Sequence, residues 1–117
     1  MDSRGYYFGV PLADALGLPF IPARKSGKLP GSCKSVSYGL EYGAATIEMQ
    51  EDVLKPGWRV LIVDDLMATG GTAAGACQLV KDLGGHVVEV HVMVELTELN
   101  GRSKLPAGVP LHSLANL

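Results

Sequence analysis

Apolar and polar residues change their spacing along the chain, and each spacing predicts an element. Over residues 3–16, Tyr7, Val10, Ala13 and Leu16 recur at helical intervals, with Asp2 or Ser3 as a possible cap and Gly17 as a stop. Pro11 falls inside this run, so the helix either kinks or begins there. Residues 20–24 read as a short strand. Residues 25–32 hold two glycines, a proline and two lysines and read as a mobile loop. Residues 34–38 and 45–49 alternate polar and apolar positions around Gly39 and Gly43, which predicts a hairpin with Glu41 and Tyr42 near its turn. After the Pro56-Gly57 turn, residues 59–63 form a continuous apolar run, as a buried parallel strand requires. Over residues 72–83, Ala73, Ala76, Cys77, Val80 and Leu83 make one apolar helical face, while Gln78, Lys81 and Asp82 point away, and Gly84-Gly85 ends the helix. Residues 87–94 form a long strand with Val88, Val90, Val92 and Val94 on one face. A short helix near Arg102 and a strand over residues 109–114 complete the chain.

Strand, loop, helix and strand over residues 59–94 make a βαβ unit, so the expected fold class is α/β with a mostly parallel sheet flanked by helices. Ligands of such sheets sit at the carboxyl ends of the strands, which directs attention to the residues just after Val63.

Composition narrows the picture. The 117 residues fit one domain, 1–117, and 47% hydrophobic with 19% charged residues is a globular mix. Fifteen glycines with 6% aromatics favour an α/β domain with functional loops. A net charge of -2 offers no basic field for nucleic acid. The longest apolar runs fall well short of the roughly 20 residues that span a bilayer, so no membrane partner is expected. The N-terminus has no apolar signal region, and Cys33 and Cys77 lack CxxC spacing. Zinc is therefore not expected, and a reducing cytoplasmic setting is.

The chemistry concentrates in residues 60–72, Val-Leu-Ile-Val-Asp-Asp-Leu-Met-Ala-Thr-Gly-Gly-Thr. The apolar half delivers the chain to the top of a sheet. Small residues then lead into a helix N-terminus, where glycine admits an anion to the backbone N–H groups and the helix end adds partial positive charge. Thr69 and Thr72 add hydroxyl donors. This half suits a phosphate. The adjacent carboxylates Asp64 and Asp65 would repel one, and suit sugar hydroxyls or a Mg²⁺ shared with the phosphate. A phosphorylated sugar satisfies both halves. The pattern is neither a Walker motif nor a Rossmann fingerprint.

This segment resembles the phosphoribosyl pyrophosphate (PRPP) motif of the type I phosphoribosyltransferases. The chain as a whole is similar to the adenine phosphoribosyltransferases, on Asp2-Ser3-Arg4-Gly5, residues 23–31 (Ala-Arg-Lys-Ser-Gly-Lys-Leu-Pro-Gly), residues 38–43 (Tyr-Gly-Leu-Glu-Tyr-Gly) and Val94-Glu95-Leu96. The resemblance implies a type I phosphoribosyltransferase-like fold and a purine salvage reaction joining adenine to PRPP to give AMP and pyrophosphate. Mg²⁺ would be held mainly through PRPP and not by a protein ligand set. It also implies a homodimer.

Roles follow from the same resemblance. Ala68, Thr69, Gly70, Gly71 and Thr72 would hold the 5′-phosphate, and Asp64 and Asp65 the ribose hydroxyls. Ser3, Arg4, Gly5, Arg24, Lys25 and Lys28 would neutralise the leaving pyrophosphate, with Arg24 and Lys28 as catalytic groups on a closing loop. Glu41 would be a general acid acting on the adenine ring, which requires a raised pKa, with Tyr42 positioning it. Leu96 would pack against adenine. His86, His91 and His112 read as structural or exposed, Cys77 as a core residue and Trp58 as packing. Family members begin well before Asp2, with a hood over the base and a core strand. Their absence from these 117 residues leads us to expect weak or no turnover, or a non-catalytic PRPP- or nucleotide-binding fragment or isoform.

Overall fold

The computed structural model describes residues 1, 3–40 and 43–117, and of Leu40 the backbone alone. Its elements are α1 (Tyr6–Leu16), β1 (Arg24–Lys25), β2 (Cys33–Leu40), β3 (Gly43–Gln50), β4 (Arg59–Met67), α2 (Gly71–Asp82), β5 (His86–Glu95) and β6 (Leu111–Asn116), with short 3₁₀ turns at Thr97–Leu99 and Gly101–Lys104. β4, β5 and β6 form a parallel sheet in that order. β1, β3 and β2 form a separate antiparallel sheet.

α2 joins the two sheets. Ala73, Ala76, Cys77 and Val80 are buried on it against Ile62, Val90 and Val92, as the 3.6-residue periodicity requires. On its other side, Gly75 lets the hairpin approach closely. A β-carbon there would lie 3.3 Å from Ile47 and Tyr38 and 3.4 Å from Val36. The Cys77 thiol is pushed up to about 11 by burial, in keeping with an inert core residue.

Four expectations are corrected. The first helix starts at Tyr6, neither at Ser3 nor at Pro11. Gly5 occupies its cap position without a side-chain bond, while the Ser3 carbonyl accepts the Tyr6 N–H at 3.1 Å. That helix docks through Gly9, against Phe20 and Val63, and leaves Tyr7, Val10 and Leu16 exposed. The expected strand over residues 20–24 pairs only at Arg24 and Lys25, because Pro22 has no N–H to donate. The strand expected to stop at Val63 continues to Met67. β5 runs on beside it, pairing Asp64 with Val92, Leu66 with Val94 and Met67 with Glu95.

β4 is an edge of its sheet among the described residues, and on that side the Met1 α-ammonium donates to the Val63 carbonyl at 3.0 Å. An apolar groove of about 360 Å³ runs there between α1 and β4, from Met1 to Trp58. No helix of the described residues is long and apolar enough to cross a membrane.

One ion pair closes the top of the parallel sheet. Glu95 is 2% exposed, and Arg102 Nε donates to its two oxygens at 3.1 and 2.8 Å, with Nη2 adding a bond at 2.9 Å. Arg102 Nη1 also donates to the Leu111 carbonyl at 3.1 Å, tying the 3₁₀ turn to β6. Arg102 is half-exposed, but its removal leaves the buried Glu95 carboxylate without these donors, so Arg102→Ala is expected to cost about 1–3 kcal/mol of stability. Urea unfolding at pH 7 reads this directly, and an unchanged midpoint contradicts it.

Candidate functional site

The residues expected at the carboxyl end of β4 gather around a cavity of about 250 Å³. Asp64, Asp65, Ala68, Thr69, Gly70 and Thr72 line it, together with Arg4, Arg24, Lys25 and Tyr38. Because β4 extends to Met67, the two carboxylates belong to the strand itself and the loop proper begins at Ala68.

The loop has its shape because of two glycines. Gly70 has φ +92°, a conformation that L side chains rarely adopt, and sits at the cap position of α2 with no side-chain cap bond. The first turn of α2 is therefore left without a capping side chain, the arrangement in which helix N–H groups can receive an anion. Gly101 presses on this loop from outside. A β-carbon there would lie 2.6 Å from the Ala68 carbonyl and 3.0 Å from Met67 Sδ. Gly71 is buried against the Tyr38 ring, and the Tyr38 and Thr72 hydroxyls are 2.7 Å apart.

The turn at residues 3–5 abuts the carboxylates. Arg4 Nε lies 2.8 Å from Asp65 Oδ2, an exposed pairing on the arginine side that adds little to stability but orients a cation at the cavity. Gly5 is buried, and a β-carbon on it would lie 2.8 Å from Asp64 Oδ1, so only glycine allows this approach. The Asp64 carboxyl is pushed up to about 6, chiefly by burial and further by the neighbouring Asp65. The Asp65 N–H, which donates to Asp64 Oδ1 at 2.9 Å, and the Met1 ammonium oppose this.

Not every expected site residue reaches the cavity. Ser3, Gly5, Lys28, Gly71 and Leu96 are outside its lining. Lys28 contributes its carbonyl, which accepts from Arg24 Nη1 at 3.4 Å. The start of the loop over residues 25–32 is tied down, with the Gly27 N–H donating to Glu48 Oε1 at 2.7 Å. Leu96 is half-buried and its N–H donates to the Met67 carbonyl at 2.9 Å. Glu41 and Tyr42 lie outside the described residues, between the hairpin strands whose register closes at Leu40 and Gly43. Reading the sequence missed Tyr38, Gly101 and Arg102. Tyr38 was findable, since it shares the core-facing parity of Val36 on β2. The other two carry no periodic signal.

The cavity can bind an anion at its glycine loop and hydroxyl groups at its carboxylates, with cationic side chains on the same lining. Among the described residues no group of three or more His, Cys, Asp or Glu side chains converges. Asp64 and Asp65 are the lining carboxylates that would face a divalent cation brought in by a phosphorylated ligand.

Comparison with known proteins agrees with this geometry. Residues 1–107 match the phosphoribosyl transferase domain. The adenine phosphoribosyltransferase of Clostridium beijerinckii is 54% identical over 104 residues, covering 89% of this chain and 60% of the relative. The crystal structure of adenine phosphoribosyltransferase from Rhodothermus marinus superposes with a TM-score of 0.96 at 51% identity, covering 99% of this chain and 66% of that one. The Saccharomyces cerevisiae enzyme, solved with an imino-altritol bisphosphate and adenine, superposes with a TM-score of 0.93 at 47% identity, over 97% of this chain and 63% of that one. The chain thus spans about 60% of the length of the curated relative it matches. On the domain match, the parallel sheet and the glycine loop after β4, the chain belongs to the phosphoribosyltransferase family and has the type I fold.

Proposed function

We propose that this chain serves purine salvage by transferring the 5-phosphoribosyl group of PRPP to adenine, giving AMP and pyrophosphate. One observation carries the reading: a single cavity is lined by a helix-capping glycine loop, two carboxylates and the cationic side chains of Arg4, Arg24 and Lys25. PRPP has a phosphate, two hydroxyls and a pyrophosphate in the same order. Adenine as acceptor is supported by the likeness to adenine phosphoribosyltransferases.

The roles follow from charge. The loop over residues 68–72 holds the 5′-phosphate through N–H and hydroxyl donors. Asp64 and Asp65 accept hydrogen bonds from the ribose hydroxyls. Arg4, Arg24 and Lys25, with Lys28 when its loop closes and the Ser3-Arg4-Gly5 turn, offset the charge that gathers on pyrophosphate as the C1′–O bond breaks and the bond from adenine N9 to C1′ forms. Bound Mg²⁺ supplies further neutralisation of the pyrophosphate. Glu41 handles a proton on the adenine ring, and Leu96 packs against it. Closure of the loop excludes water that would hydrolyse PRPP. A homodimer in a cytoplasmic setting completes the proposal. It is supported by the exposed apolar residues Tyr7, Val10 and Leu16 on α1 and by the free cysteines.

A second reading is PRPP or nucleotide binding without turnover. It is favoured by the lining of the cavity, which includes Asp64, Asp65 and every residue assigned to the phosphate except Gly71, but not Leu96. Two assays separate the readings. Calorimetric binding of Mg·PRPP is expected under both, and formation of AMP from adenine and PRPP only under the first. Absence of binding by the folded chain contradicts both.

Two further outcomes are expected. Asp64→Asn with Asp65→Asn should weaken PRPP binding at least about tenfold, since each loses a charge-assisted hydrogen bond to a hydroxyl. Unchanged affinity removes the ribose role from these residues. The raised Asp64 pKa also predicts a stability change in the ligand-free chain. The folded state binds this proton more tightly than the unfolded one, so stability falls as pH rises from about 4 through about 6 and stays lower above. Asp64→Asn should match the parent near pH 4 and exceed it at pH 7.5 by on the order of 1–3 kcal/mol. Equal urea midpoints at pH 7.5 contradict this.

A further inference from the structure

We infer that Tyr38 is a positioning residue for the phosphate, acting through the Thr72 hydroxyl. This rests on the phosphoribosyl reading of the cavity given above. Tyr38 belongs to β2 of the antiparallel sheet, and Thr72 to the first turn of α2. Their hydroxyl oxygens are 2.7 Å apart, and either can be the donor.

The two directions of that bond have opposite consequences. A threonine hydroxyl has one proton. If Thr72 gives it to Tyr38, a lone pair is left facing the loop, and a phosphate there is repelled. If Tyr38 donates, a Thr72 lone pair is filled and its proton is free for a phosphate oxygen. A bound phosphate therefore selects the state in which Tyr38 donates. Tyr38 converts a freely rotating hydroxyl into a fixed donor aimed at the anion, as preorganised binding requires.

The ring is held well enough to do this. A β-carbon on Gly71 would come 2.8 Å from Tyr38 Cδ2, and one on Gly75 would come 3.3 Å from Cδ1. The two glycines thus form a slot on α2 that the aromatic ring occupies. Tyr38 is half-buried, so its hydroxyl competes poorly for water and keeps its protein partner. The same contact couples the hairpin to the phosphate loop.

The test is a double-mutant cycle read by calorimetric titration with ribose 5-phosphate. Tyr38→Phe keeps the ring in its slot and removes one hydroxyl. It is expected to weaken binding about 5- to 20-fold, the range for one hydrogen bond that supports a charged partner. Thr72→Val should weaken it at least as much. Adding Tyr38→Phe to Thr72→Val should change nothing further, because the path through Thr72 is already gone. A general packing role would give the same loss in both backgrounds, and that result overturns the inference, as does parent-like binding by Tyr38→Phe. Circular dichroism and the urea midpoint of each variant show that the fold is kept. If the parent chain itself does not bind ribose 5-phosphate, the reading of the cavity fails, and the role of Tyr38 with it. That failure is distinguishable because it appears before any substitution.

Discussion

The close packing of two backbones, at Gly70 and Gly101, is the constraint on which the site depends. The Gly70 conformation turns the chain from β4 into α2 within three residues and leaves the first-turn N–H groups uncapped. The Gly101 backbone then fills the space behind the loop against Ala68 and Met67. A side chain at either position would force the loop outward. The 3₁₀ turn that carries Gly101 is held by Arg102, which reaches Glu95 and the Leu111 carbonyl. A buried carboxylate at the end of β5, held by the half-exposed Arg102, thus supports an anion site at the end of β4, although neither charge lines it.

That support lets the cavity hold opposed charges. Asp64 and Asp65 sit side by side on a strand where burial, with the neighbouring carboxylate, pushes Asp64 up to about 6. Arg4 lies against Asp65, and Arg24 and Lys25 line the same cavity from the neighbouring sheet. Hydroxyl donors from a sugar suit the carboxylates, and phosphate groups suit the cations and the uncapped helix end. The complementarity of the site is to a ligand carrying both kinds of group.

Much of this was legible in the sequence because it rests on local rules. The α2 face, the hairpin, the long valine strand and the glycine loop are all written in spacing and turn residues. What escaped depends on contacts distant in the chain. The extension of β4 through Asp64 and Asp65 runs against the strand preference of aspartate, and pairing with β5 overrides it. The strand expected over residues 20–24 was cut short by a proline that alternation does not weigh. The apolar spacing marked α1 as a helix but not its docking residue: it packs through Gly9, whose small size no hydropathy pattern marks. Glu95 falls just past the strand expected over residues 87–94, and only its partner seven residues on reveals an ion pair. Of the expected site residues, Asp64, Asp65, Ala68, Thr69, Gly70 and Thr72 line the cavity with Arg4, Arg24 and Lys25, whereas Ser3, Gly5, Lys28, Gly71 and Leu96 do not.

The claim that a preformed backbone loop binds the phosphate is tested most directly by amide chemical shifts in a titration with ribose 5-phosphate. The account predicts large, saturable shifts at the N–H groups of Thr69, Gly70, Gly71 and Thr72, with smaller ones at Asp64 and Asp65. Shifts confined to Arg24, Lys25 and Lys28, with the loop over residues 68–72 unmoved, would contradict it and leave only nonspecific attraction to surface charge.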